Sequence, residues 1–286
     1  RVDDSNESEK SYILAIDDSL RELLGARPRG GTMVQPWLSS TKAPERELEL
    51  ELKYEFSCEN IPATDCFLAL EQPSLYEIFV NGNRLPQEDC GYWCDISLRR
   101  LHLPAEFLRQ GANTLLLASR YHQYLPGLES LFLLGNFGVS ADGCTLQAVP
   151  QTLSMGDWCE QGFTNYAGNL TYRTCFLHKE KPGHHFSLEI PEWRGVALLV
   201  RINSNAPRML PWPPYSLNLD GELKDGYNVL EITVIGHRRN SHGPFYLNEK
   251  WPPWTGAAEF KRYESAKQQL VPCGILKAPV IREYKA

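Results

Sequence analysis

The chain has 286 residues, 42% of them hydrophobic and 22% charged, with a net charge of −6 and a pI near 5.7. This length can bury one or two cores, and the acidic balance excludes the basic field of a general nucleic-acid binder. The longest apolar runs, 115–118 and 131–134, are far too short to cross a bilayer, so no membrane partner is expected, and no signal peptide is visible. The chain begins at Arg1 rather than Met, so it is expected to be cut from a longer protein, and its compartment, cytoplasmic or secreted, stays open.

Residues 1–44 are polar and irregular and read as a connector. Within them Asp17-Asp18-Ser19 suits the cap of a short helix over 20–24, ended by Gly25, and RPRGG at 27–31 reads as a break. From residue 45 the pattern changes. ELELELKYEF, at 47–56, alternates charged and apolar residues with period two, the mark of a half-buried strand. Further strand-like runs lie at 66–70, 76–80, 114–119 and 131–134, then at 170–177, 185–190, 195–202 and 229–235. Asn81-Gly82, Pro182-Gly183 and Asp220-Gly221 supply turns between them. Sustained helical periodicity is absent. The expected fold is all-β: two successive antiparallel β-sandwiches of jelly-roll type, at 45–149 and 150–286, the second with a C-terminal extension.

A weak internal repeat supports the two-sandwich division. YEIFVNGNRLP, CDISL and LRQGANTLLLASRY occur in the first half; VALLVRINSNAPRMLP, YSLNL and LKDGYNVLEITVIG occur in the second. Both copies run strand, Asn-containing turn, short polar–apolar segment, then Gly-x-Asn entering a strand. The glycines of the two Gly-x-Asn words, Gly111 and Gly226, lie 115 residues apart, one sandwich domain.

These words carry a resemblance. Leu70-Glu71-x-Pro73, 76–82, Trp93 to Ser97 and 108–115 resemble the galactose-binding-like β-sandwich, the sugar-binding domain of glycoside hydrolase family 2. Gly195-Val196-Ala197 with Val200-x-Ile202-Asn203, and Gly226 to Leu230, form the second instance. Tandem modules of this sort occur in large bacterial glycosidases, including α-L-rhamnosidase-like ones. The resemblance covers residues 45–247. It implies a non-catalytic accessory region that binds carbohydrate or positions a catalytic domain of the same polypeptide. It supplies no catalytic residue. A purely structural or protein-interaction pair of sandwiches is the alternative, and a stand-alone glycosidase is a third reading.

The residues carry chemistry of their own beside that resemblance. Glycoside hydrolysis needs two carboxylates roughly 5–9 Å apart. Asn248-Glu249 resembles the pair of barrel glycosidases, but no alternating strand–helix pattern surrounds it, and a solvated loop carboxylate explains it equally. No Gly-x-Ser-x-Gly elbow exists. The eight cysteines form no CxxC pair and read as mostly free and buried. No cofactor is expected; structural calcium, with Asp89, Asp95, Asp220 or Asp225 as donors, is a minor alternative.

Carbohydrate binding asks for aromatic rings to stack on the C–H face of a sugar and polar groups for its hydroxyl rim. Two segments offer both. One contains Arg208, Trp212 and Tyr215; the other contains His237, Arg238, Arg239, Asn240, His242, Tyr246, Trp251 and Trp254. Both fall inside 150–286, so they are expected at one end of the second sandwich. Arg238 and Arg239 would suit an acidic sugar. The competing explanation is structural: Pro-flanked tryptophans plug core edges, and arginines pair with acidic residues of a neighbouring domain. Glu129-Ser130, with Tyr121, His122 and Tyr124, is a second loop candidate.

Overall fold

The alternation of 47–56 becomes an 11-residue strand, β1 (Leu48–Cys58), in a computed structural model that describes residues 1–29, 42–256 and 258–285. Leu48, Leu50 and Leu52 are buried and Glu49 and Lys53 exposed, as period two requires. Among the described residues strands hold 38% and helices 10%, in several antiparallel sheets without a barrel. The fold is all-β. Among the described residues no helix is long and apolar enough to cross a membrane. Two units emerge: residues 1–149 with 244–269, and residues 150–243 with 270–286.

In the first unit the strands after β1 are β2 (Cys66–Glu71), β3 (Glu77–Val80), β4 (Asn83–Arg84), β5 (Asp89–Trp93), β6 (Asp95–Leu103), β7 (Gly111–Tyr121), β8 (Phe132–Leu134), β9 (Gly138–Val139) and β10 (Thr145–Gln147). One sheet has the order β4-β3-β7-β1-β10-β9, antiparallel except where β1 meets β10; the other has the order β5-β6-β2-β8. Leu50, Leu52, Ile78 and Leu117 from the first sheet share a buried core with Leu68, Leu70 and Leu101 from the second. Each fully buried leucine contributes about 1.5–3 kcal/mol.

The N-terminal residues belong to this core. Helix α1 runs over Ile13–Leu23, not 20–24, and buries Ile13, Leu14 and Leu20 against it. Asp17 is no cap. Its carboxylate faces inward and is fully buried, bound by Tyr121, Arg21, Arg29 and the Leu128 N–H, and the helix begins about two turns earlier than expected. Gly25 follows the helix with φ of 67°, as expected for a terminator. Part of the RPRGG break and of the connector, residues 30–41, lies outside the described residues.

In the second unit the strands are β11 (Asn169–His178), β12 (His184–Glu189), β13 (Trp193–Arg194), β14 (Ala197–Ile202), β15 (Arg208–Leu210), β16 (Ser216–Asn218), β17 (Gly226–Ile235), β18 (Gly274–Ile275) and β19 (Val280–Lys285). They form sheets β11-β17-β14-β15 and β16-β12-β19 and a β13-β18 pair. Leu198, Val200, Leu230 and Ile232 meet Leu188 and Leu217 in the core, with Trp158 fully buried among them.

The repeat has a physical counterpart. The order β4-β3-β7-β1 of the first unit equals β15-β14-β17-β11 of the second. Asn81 and Asn203 both take positive φ, 51° and 53°, at the turn after β3 and after β14. Asn81 Nδ2 donates to Asn113 Oδ1 at 2.8 Å; Asn203 Nδ2 donates to Asn228 Oδ1 at 2.9 Å. The same pair of asparagines therefore locks the same turn onto the same strand in each unit. None of the eight cysteines is in a disulfide, but only Cys58, Cys66, Cys159 and Cys273 are buried; Cys94, Cys144 and Cys175 are exposed, because each occupies a turn or an outward strand position.

Candidate functional site

The residues named from sequence divide between the two units. Arg208, Trp212, Tyr215 and the 237–242 run belong to the second; Tyr246, Trp251 and Trp254 belong to the first. The expectation that all of them share the second sandwich does not hold. After Gly243 the chain packs with the first unit, where Leu247 is buried, Phe260 meets the core, and Lys261 Nζ bonds Asp18 at 2.9 Å.

In the second unit most of the named polar groups are already occupied. Arg208 donates to the Asn218 carbonyl at 2.8 Å and pairs with Glu222. Tyr215 stands edge-on to Trp193, ring centroids 5.0 Å apart, which is core packing. His237 Nε2 lies 3.1 Å from the Pro272 carbonyl. Helix α2 (Arg239–His242) is a single turn. Asn240 within it is a staple: Nδ2 donates to the Val271 carbonyl at 2.8 Å and Oδ1 accepts from the Val271 N–H at 2.9 Å. His242 Nδ1 lies 2.7 Å from Ser241 Oγ, and burial, then the neighbouring Arg238 charge, keep its pKa below the usual histidine value. The Arg239 Nη atoms are buried with no hydrogen-bond partner among the described residues, and burial lowers its pKa. Arg238 is exposed. Trp212 is 73% exposed and is the one named aromatic of this unit open to solvent. Asn240→Ala is expected to lower the stability of this unit by about 2 kcal/mol in urea denaturation, since both Val271 backbone groups lose their partner. A change under 0.5 kcal/mol would refute the staple.

In the first unit the segment 244–269 carries an aromatic row. The Tyr246 ring lies 5.1 Å from Tyr12 on one side and 5.1 Å from Tyr263 on the other. Its carbonyl accepts the Glu264 N–H at 2.8 Å and the Ser265 N–H at 3.1 Å, which folds the segment back on itself. Glu264 in turn accepts the Asn248 N–H at 3.1 Å. Trp251 and Trp254 stand 56% and 74% exposed, and Tyr263 is 40% exposed. Sequence reasoning missed Tyr12 and Tyr263. Tyr12 sits in the stretch read as a connector, and Tyr263 in a polar run with no alternation; only the fold brings them to Tyr246. Glu249 is exposed, as a solvated loop carboxylate is.

The second loop candidate borders a cavity inside the first unit, lined by Tyr54, Leu70, Glu71, Tyr76, Leu128 and Glu129 among others. Burial and the Glu129 charge raise the Glu71 carboxyl, and burial pushes the Tyr76 hydroxyl up to about 12. Glu129 itself is tied to Arg29. Glu71 accepts from Ser97 Oγ at 3.5 Å. Among the described residues no three His, Cys, Asp or Glu side chains converge as a metal set. Of the calcium candidates, Asp89 pairs with Arg99, Asp95 binds Ser97, Asp220 lies 2.7 Å from His185, and Asp225 accepts the Glu180 N–H.

No family model matches the chain, and no curated protein does. Among solved structures it is similar to the rhamnosidase from Novosphingobium sp. PP1Y, at 15% identity and a TM-score of 0.33, over 84% of this chain and 22% of that one. It is also similar to the Streptomyces avermitilis alpha-L-rhamnosidase complexed with L-rhamnose, at 14% identity and a TM-score of 0.27, over 67% of this chain. Both neighbours are rhamnosidases. The chain spans 22% of the length of each.

Proposed function

We propose that this chain is a non-catalytic accessory region of a bacterial glycoside hydrolase, built from two galactose-binding-like sandwich domains divided near 149/150. It contacts carbohydrate weakly through the 244–269 segment and holds a catalytic domain of the same polypeptide in place. The observation that carries this reading is the pair of solvent-facing indoles, Trp251 and Trp254, at 56% and 74% exposure. The same segment carries Tyr246 and Tyr263, whose rings meet tilted with centroids 5.1 Å apart. Large flat rings held in water by a pinned segment suit a ligand with an apolar face and a hydroxyl rim. The sequence words shared with sugar-binding sandwiches point the same way.

The test is a screen of the chain against neutral and acidic glycans, followed by calorimetric titration. Trp251→Ala and Trp254→Ala are each expected to weaken the best hit at least about fivefold, about 1 kcal/mol. Neither should move the melting temperature by more than about 2 °C, because both rings are already exposed. Silence across the glycans would shift the reading to a protein-contact role. One observation favours that second reading: Leu177 and Tyr227, directly paired between β11 and β17, are 71% and 74% exposed on an outer sheet face.

A further inference from the structure

The three-stranded sheet β16-β12-β19 of the second unit turns one face to solvent. Along β12, His185, Ser187 and Glu189 point to that face, while Leu188 enters the core. Their partners on β19 are Tyr284, Arg282 and Val280. Tyr284 is therefore opposite His185. Its hydroxyl, however, donates to Glu189 Oε1 at 3.3 Å and accepts from Ser187 Oγ at 3.4 Å. From His185 to Glu189 is about 13 Å along the strand. The tyrosine must lie down along the sheet to reach that far. It is 47% exposed.

Fixed polar groups frame the ring. At one end His185 Nδ1 lies 2.7 Å from Asp220 Oδ2, and Asp220 Oδ1 accepts the Phe186 N–H at 2.9 Å. At the other end Arg282 Nε donates to Glu189 Oε2 at 2.5 Å. The frame gives each carboxylate a basic partner, His185 for Asp220 and Arg282 for Glu189. Its groups are held by mutual bonds before any ligand arrives, which reduces the ordering cost of binding.

We propose that this sheet face is a binding site for a neutral sugar ring, stacked on Tyr284 with its hydroxyls bonded to Asp220 and Glu189. An aromatic face takes the C–H side of a pyranose, and flanking carboxylates accept from its hydroxyls. Each oxygen of Asp220 and Glu189 engages one partner and keeps a second lone pair for a sugar hydroxyl. The site lies on the second unit and stands apart from the Trp251 and Trp254 reading, so each can fail without the other.

The experiment is saturation-transfer NMR on the full chain. The probes are methyl α-D-mannopyranoside, methyl β-D-galactopyranoside, methyl β-D-glucopyranoside and methyl α-L-rhamnopyranoside. It is run in a Trp251→Ala/Trp254→Ala background, and affinities come from titration. Transfer to at least one probe is expected in that background. Tyr284→Ala should weaken it by about tenfold, 1.4 kcal/mol. Tyr284→Phe, which keeps the ring, should stay within about threefold. Asp220→Asn should weaken binding less than Tyr284→Ala. Circular dichroism of the Tyr284 variants checks that β19 still pairs. No transfer in the background, or equal binding by folded Tyr284→Ala and its parent, would overturn the proposal. Binding that vanishes with the two tryptophans alone would overturn it as well, while supporting the first-unit reading.

Discussion

Asn228→Ala is expected to cost the second unit about 4 kcal/mol and to lower its melting temperature by about 15 °C. Asn228 is fully buried at the start of β17. Its Nδ2 donates to the Lys224 carbonyl at 2.8 Å and to the Gly226 carbonyl at 3.1 Å. Its Oδ1 accepts from the Lys224 N–H at 3.0 Å and from Asn203 Nδ2 at 2.9 Å. Asn203 then accepts the Val229 N–H at 3.0 Å, which closes the turn after β14 against β17. Removing one side chain strands two carbonyls and two donors in the interior. Each unsatisfied buried group costs about 1–3 kcal/mol, and the four are not additive. A total near 4 kcal/mol is a large part of the net stability of a domain, about 5–15 kcal/mol. At roughly 4 °C per kcal/mol, the low end for small domains and the one that suits a unit of this size, the melting shift of about 15 °C follows. Asn228→Asp should be nearly as damaging, because a carboxylate facing two carbonyls has nothing to donate. Differential scanning calorimetry decides: a shift below 3 °C for Asn228→Ala would mean that the lock is ornamental. Asn113→Ala tests the same device in the first unit, where Nδ2 donates to Arg109 and Gly111 carbonyls at 2.7 and 2.9 Å.

That lock explains why so much of the fold is legible in the sequence. Gly-x-Asn needs a glycine at positive φ, 83° at Gly111 and 96° at Gly226, then an asparagine turned inward two residues later. Few other residues satisfy that geometry, so the words survive as text. Strands with one buried face, such as β1, are legible for the same reason. What escapes is everything that depends on non-local return. Residues 244–269 interrupt the second unit in sequence, yet Phe260 finds its apolar partners in the first unit, and no local pattern encodes that choice. Strand β19, VIREYK, shows no clean alternation because its solvent face carries Val280 and Tyr284. Among the site residues, Asn240 and Tyr215 have the chemistry of sugar contacts and the positions of staples. Residue type alone cannot separate those roles; the bonds to Val271 and the packing on Trp193 do.

Asp17→Ala is expected to destabilise the first unit by about 3–5 kcal/mol, and the effect should depend on pH. The carboxylate is wholly buried and receives four donors: Tyr121 Oη at 2.7 Å, the Leu128 N–H at 2.8 Å, Arg29 Nε at 2.8 Å and Arg21 Nε at 2.9 Å. Removing it leaves Arg21, itself 6% exposed, as a buried cation without its partner, the costly half of breaking an interior pair. Burial alone would raise the Asp17 pKa. The bonds from Tyr121 and Leu128, with the Arg29 charge and the Arg21 bond, outweigh it and hold the group below its ordinary value. A carboxyl depressed in the folded state stabilises that state above its unfolded pKa, about 3.9, and loses the contribution as pH falls through the folded value. The gap between wild type and Asp17→Asn should therefore be widest from pH 5 to 7 and shrink below pH 4, measured by urea denaturation across that range. Tyr121→Phe is the milder companion: it deletes one donor, should cost about 1–2 kcal/mol, and should leave the carboxylate less depressed, so acid unfolding begins at a higher pH. A wild-type-to-variant gap that stays constant from pH 3 to 7 would show that packing around α1, and not the charge on Asp17, ties the helix to the first sandwich.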